Sequence, residues 1–216
     1  MKKLKNQNQQ PKETSYMFVL IVIGYFKKDS FCHLGIKDTI KKELDISNVK
    51  CVVIDLYEDD FNPSVQNGNK ALIAKYQRFM KRATHIVFIS PVWWARCTSM
   101  MEGFFDQVFT PGFAYRFKSI TKTYGIPLPL LKNKKVYCYL THGAPALPVL
   151  TIYLNAPKLR LLLGVFSFCF LLRNCKIYQF FSVPFCENSE RVKMLEKVKK
   201  HWLKEAEEFH RFDWFR

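Results

Sequence analysis

The feature that most constrains this chain is a set of short apolar runs without the in–out alternation of a strand exposed on one face. Tyr16 to Ile23 is apolar throughout and ends at Gly24, the pattern of a strand buried on both sides. Val49 to Leu56, Ile86 to Ile89 and Lys135 to Leu140 give three more buried strands. Val165 to Leu172 with Ile177 to Phe181 is expected to supply a fifth, with an irregular entry. Between the runs the period changes to helical. Helices are expected over about 31–44, with Leu34, Ile40 and Leu44 toward the sheet, and over about 68–82 and 188–210. Met100, Met101, Phe104, Phe105 and Val108 mark another, and 150–163 is helical with less definition. Strand and helix alternating in this way call for a parallel sheet with helices on both faces and right-handed crossovers. Five strands make the order 2-1-3-4-5 the natural choice, with its switch point between strands 1 and 3. That order sets the loops after Gly24, Ser90 and Leu140 side by side.

A chain of 216 residues suits one domain, expected over 16–216. Residues 1–15 are lysine, glutamine and asparagine with almost no apolar content, and are expected to be a disordered basic tail. The net charge of +16 suits nucleic acid, a membrane surface or small phosphorylated polyanions. No helix-turn-helix, zinc-finger or RNP pattern accompanies it, which argues against nucleic acid and leaves peripheral membrane contact open. The seven cysteines include no CxxC pair, so no structural metal is expected, and the usage fits a reducing cytoplasm. The run at 16–26 lacks a signal-peptide cleavage site, and Leu161 to Leu172 is too short to span a bilayer.

Three loops carry the polar and aromatic signals. Ser30 is an N-cap, and the backbone N–H groups of Ser30, Phe31 and Cys32 at a helix start form an anion site suited to phosphate; an ordinary cap is the competing reading. Pro91 ends the third strand, and Trp93-Trp94 follow at once, suiting a flat ligand or else a core plug or dimer contact. Thr141-His142-Gly143 can offer backbone donors and a hydroxyl to a ligand's polar edge. A proline-containing excursion at 118–131 is expected to cover the loops.

The stretch SPVWWARCTSMMEGFFDQVFTPGFAY, with DSFCHLGI after strand 1 and VIDLYEDDFNP after strand 2, resembles the flavodoxin-like NAD(P)H:quinone oxidoreductase family. The likeness covers about residues 16–145. It implies a flavodoxin-like fold and a bound FMN or FAD that passes hydride from NAD(P)H to a quinone or similar acceptor. It further implies that Ser30, Phe31 and Cys32 hold the flavin phosphate. Pro91, Val92, Trp93, Trp94 and Ala95, with Thr141, His142 and Gly143, would then lie along the ring. Phe113 and Tyr115 would line a substrate cavity shared within a homodimer. Tyr115, His142 and Tyr153 are the candidate catalytic side chains. Departures from the pattern include Tyr25-Phe26 for His-Pro, Thr98 for proline, Glu102 for lysine, and His142 in place of the first glycine of a Gly-Gly pair. A regulatory or transporter-associated protein that keeps the fold without turnover is the alternative implied.

Overall fold

The computed structural model describes residues 16–213, so the tail expected over 1–15 lies outside the described residues. Five parallel strands form the main sheet: β1 (Phe18–Ile23), β2 (Lys50–Asp55), β3 (His85–Pro91), β6 (Lys135–Thr141) and β7 (Cys175–Phe180). Their order is β2-β1-β3-β6-β7. This is the expected 2-1-3-4-5 once the two strands of a separate hairpin, β4 (Tyr115–Ser119) and β5 (Gly125–Pro129), are set aside.

Successive side chains of a strand point to opposite faces, and here both faces are apolar. Leu20, Val22, Ile86, Phe88, Cys138 and Leu140 pack under α2 (Lys70–Arg82), α3 (Ser99–Val108) and the helical segment that precedes β7. Ile21, Ile23, Val87, Ile89, Tyr137 and Tyr139 pack under α1 (Asp38–Ile46) and the last helix. Trp202 of that helix is fully buried, and its indole N–H donates to Tyr139 Oη at 2.9 Å.

Three expectations change. The first helix opens as a π-helical stretch, Phe31–Lys37, before becoming α-helical. The wider turn shifts the buried face, so Ile36, Ile40 and Leu44 are buried while Leu34 is exposed. Second, Val165 to Leu172 is not strand. Short helices α4 (Ala146–Leu150) and α5 (Ala156–Leu159) lead into a π-helical stretch, Arg160–Phe166, and α6 (Ser167–Cys169). Its buried residues Leu161, Phe166, Cys169 and Phe170 follow helical spacing, which an apolar run alone does not distinguish from a strand. Third, the 118–131 excursion is the antiparallel β4–β5 hairpin. It leans on α6, with the Tyr115 and Phe168 rings edge to face at 5.9 Å, and contributes nothing to the cleft described below. The final helix, α7, runs Asn188–Asp213.

Candidate cofactor cleft

The loop after β1 is pinned before it reaches its helix. Gly24 permits the close approach of α3, because a Cβ there would stand 3.0 Å from Met101 Cβ. His33 is buried, and its Nε2 lies 2.8 Å from the Tyr25 carbonyl; a carbonyl only accepts, so that nitrogen carries the proton. Lys28 pairs with the buried Asp55 carboxylate at the end of β2, tying two adjacent strand ends together. Ser30 caps the helix, its Oγ accepting the His33 N–H at 3.3 Å. The Ser30 and Leu34 N–H groups are used within the loop. Those of Phe31 and Cys32 have no acceptor among the described residues, so two donors and the positive end of a helix dipole remain for a ligand. Cys32 Sγ lies 3.4 Å from Thr141 Oγ1, and burial pushes its thiol up to about 12. It is therefore a neutral packing group that joins two loops, not a nucleophile.

The loop after β3 is a tight hairpin. Trp93 N–H donates to Arg96 O at 2.8 Å and Arg96 N–H returns to Trp93 O at 3.0 Å. The two residues at its tip, Trp94 and Ala95, have φ of 49° and 59°. Asparagine and glycine adopt this left-handed region readily; a tryptophan and an alanine do so at roughly 1–3 kcal/mol each. Trp94 is 96% exposed at the tip. Trp93 faces inward and meets the Tyr25 ring edge-on at 6.0 Å. Val92 N–H donates to Thr141 O at 2.8 Å, carrying the β3–β6 pairing one residue past the strand.

The loop after β6 stays attached to β7. His142 N–H donates to Phe180 O at 2.7 Å, and His142 O accepts the Val183 N–H at 3.0 Å. The His142 ring stacks on Phe181 at 4.8 Å. Burial lowers it to about 4, against a smaller opposing hydrogen-bond contribution from Gln179, so it is a neutral imidazole at pH 7. Its Nε2 has no hydrogen-bond partner. Gly143 has open space where a Cβ would stand.

These loops bound one cleft of about 760 Å³. Ser30, Phe31 and Cys32, then Pro91, Val92 and Trp93, then Thr141, His142 and Gly143 line it. Trp94 and Ala95 stand outside, carried away by the turn. Phe113 is half-buried against the core. Tyr115 lines a separate hollow of about 250 Å³ with Phe105, Phe109 and Phe168, and Tyr153 is 58% exposed on a turn. None of these three reaches the cleft within this chain. Further lining residues were not anticipated from sequence: Tyr25 and, from the start of α7, Asn188, Arg191 and Leu195. Arg191 is fixed by donating to Val183 O at 3.2 and 3.1 Å. Only the packing of α7 on the first helix brings these distant residues to the cleft.

A sequence-family model described as flavodoxin-like fold matches residues 17–169. The chain belongs to this family. A relative from Haemophilus influenzae, described as an uncharacterized NAD(P)H oxidoreductase, is 32% identical over 99 residues. That match covers 42% of this chain and 46% of the relative, so it spans less than half of either. Three solved flavodoxin-like neighbours share the fold. The protein Smu.1420 of Streptococcus mutans is 24% identical, with a TM-score of 0.72 over 87% of this chain and 100% of that one. An NAD(P)H:quinone oxidoreductase from Methanothermobacter marburgensis is 17% identical, with a TM-score of 0.69 over 88% and 96%. An FMN-dependent NADH-azoreductase from Bacillus anthracis, solved with FMN, is 13% identical, with a TM-score of 0.67 over 90% and 99%. Among the described residues no cluster of His, Cys, Asp and Glu could hold a metal ion, and no helix is long and apolar enough to cross a membrane.

Proposed function

We propose that this flavodoxin-like chain binds a flavin in the cleft and is an NAD(P)H oxidoreductase acting on a quinone or a similar flat acceptor. One observation carries the reading. A helix start with two unused N–H donors, an inward tryptophan and an open-faced glycine loop converge on one cleft at the carboxyl edge of a parallel sheet. The donor set suits a phosphate at one end and a flat ring at the other. The curated relative's description and the FMN in the azoreductase neighbour support the same assignment.

In this reading Phe31 and Cys32 N–H, with Ser30, hold the phosphate. Trp93 and the Thr141–Gly143 backbone fix the plane of the ring. His142 fits despite replacing a glycine, because its ring lies against Phe181 and leaves Gly143 open. A bound flavin supplies the hydride-accepting and hydride-donating chemistry, and the protein supplies position and electrostatics. Neutral His142 supplies no positive charge to the ring, so stabilisation of electron density there falls to backbone donors, and neutral Cys32 offers no competing nucleophile. The Ser30–Cys32, Pro91–Trp93 and Thr141–Gly143 loops would hold FMN. Asn188, Arg191 and Leu195 line the same cleft and would be the residues to meet the added nucleotide if the flavin is FAD. Because Phe113 and Tyr115 lie outside this chain's cleft, their substrate role requires a homodimer in which they serve the partner's cleft.

Reconstitution tests the reading. Purified protein titrated with FMN and with FAD should turn yellow and bleach on anaerobic addition of NAD(P)H. Protein that binds neither flavin refutes the site. Flavin that binds but is not reduced favours the accessory-protein reading, to which the buried His142 in the ring-binding loop lends its support.

A further inference from the structure

The Trp93–Arg96 turn is strained at two residues and holds one tryptophan almost wholly in water. A turn of this kind keeps its shape only when its surroundings over-determine it. Two anchors do so, both at its C-terminal limb. Thr98 Oγ1 donates to Gly24 O at 2.5 Å, and Thr98 N–H donates to Ser90 Oγ at 3.2 Å, fixing the limb to β1 and β3.

The second anchor runs through a charge. Glu102 is a buried carboxylate on α3. Its Oε1 accepts the Cys97 N–H at 3.0 Å and Arg160 Nη1 at 2.9 Å, while Oε2 accepts Arg160 Nη2. A guanidinium meeting a carboxylate through two parallel bonds fixes orientation as well as distance, which an ammonium does not. Arg160 begins the π-helical stretch Arg160–Phe166, and the chain leading to it descends directly from Thr141–Gly143. The fork therefore joins the limb of the aromatic turn to the segment that leaves the opposite loop. Neither member lines the cleft.

We propose that Glu102 and Arg160 form a positioning pair that sets the aromatic turn against the Thr141–Gly143 loop, and through that spacing the affinity of the cleft for flavin and its openness to the acceptor. The proposal rests on the flavin reading above. Its physical basis is dependence of one partner on the other. Burial pushes the Glu102 carboxyl up, and Arg160 is the main opposing influence. Without the guanidinium the carboxylate is left under-compensated, and its hold on the Cys97 N–H weakens with it.

The test uses E102Q, R160M, R160K and the double variant E102Q/R160M of the full chain. Each is titrated with FMN, scanned for Tm, and assayed for acceptor KM and kcat. E102Q and R160M should raise the FMN Kd by about tenfold or more. R160K, keeping charge but losing the fork, should raise it by about threefold. The double variant should bind no more weakly than R160M, since both changes cut one link. Acceptor KM should rise while kcat stays within about twofold. An FMN Kd within about twofold of the unaltered protein in folded E102Q and R160M overturns the proposal, even if Tm falls, because the pair is then only structural. If those two variants do not fold, R160K decides on the same criterion. Unaltered protein that takes up neither FMN nor FAD fails the flavin reading instead. Amide exchange at Cys97 then decides the positioning claim: about tenfold faster exchange in R160M supports it, and unchanged exchange overturns it.

Discussion

The two edges of the main sheet use similar residues to different ends. At the carboxyl edge, polar groups are left unused: the N–H groups of Phe31 and Cys32, His142 Nε2, and the open face of Gly143. At the amino edge most are consumed within the fold, although His85 Nε2 and His201 Nε2 also lack a hydrogen-bond partner. Glu205 of α7 is buried and accepts Lys135 Nζ at 2.7 Å, with His85 Nε2 3.6 Å away. Tyr137 stacks on His85 and meets His201 and Trp202 edge to face. Burial alone would raise the Glu205 carboxyl, but Lys135, which donates to it, and the nearby His85 and Tyr137 hold it below the usual carboxylate range. One edge is thus prepared for a partner from outside the chain, and the other clamps α7 to the sheet. A buried polar group is evidence of function only where its hydrogen bonds are not already spent within the fold.

Acid should give the largest effect and engage both edges. Burial lowers His201 at the amino edge and His142 at the carboxyl edge to about 4, and lowers His85 as well. Histidines that are neutral in the fold and ordinary when unfolded contribute fully above about pH 6.5, and that contribution is lost as pH falls toward 4. Each of the two at about 4 accounts for up to about 3 kcal/mol before solvent screening reduces it. Urea midpoints measured from pH 7 to pH 4 should fall steeply. His201→Asn and His142→Asn should each flatten the slope, and an unchanged slope in both would break the parallel between the edges.

Glu205→Ala should then separate them. Removing the carboxylate leaves Lys135 and His85 without their shared neighbour and should lower stability by about 2 kcal/mol, less than for a fully buried pair because Lys135 is half exposed. FMN affinity should not change, since the cleft lies at the other edge. A parallel loss of flavin binding in still-folded protein would show that the edges are coupled.

Ser30→Ala should do the reverse. Loss of the cap should lower stability by about 1 kcal/mol, while FMN affinity falls by about tenfold as the helix start loosens and a hydroxyl is lost. Calorimetry on both axes checks this. Ala95→Gly should give the smallest change, a gain of roughly 1 kcal/mol from relief of its left-handed φ, seen as a higher Tm. No gain would mean that the anchors at Thr98 and Glu102 dictate the turn whatever its residues prefer.

The sequence by itself determined the sheet. Runs such as Phe18–Ile23 and Ile86–Ile89 are apolar on both alternating faces, as strands covered on both sides require, and five strands alternating with helices admit few topologies. It also located the three loops of the cleft, because Gly24, Pro91 and Gly143 punctuate the chain just past buried strands. The tertiary structure decided what local pattern leaves open. Val165 to Leu172 has no periodicity separating helix from strand until its buried neighbours are known. Leu34, expected toward the sheet, is exposed and Ile36 is buried because of a π turn that propensity does not register. Trp93 and Trp94 are adjacent and chemically identical, yet the turn sends one into the cleft and the other into water. Asn188 and Arg191 join the cleft only through the packing of α7, and Glu102 meets Arg160 across 58 residues. These are long-range contacts, and no window along the chain contains both partners.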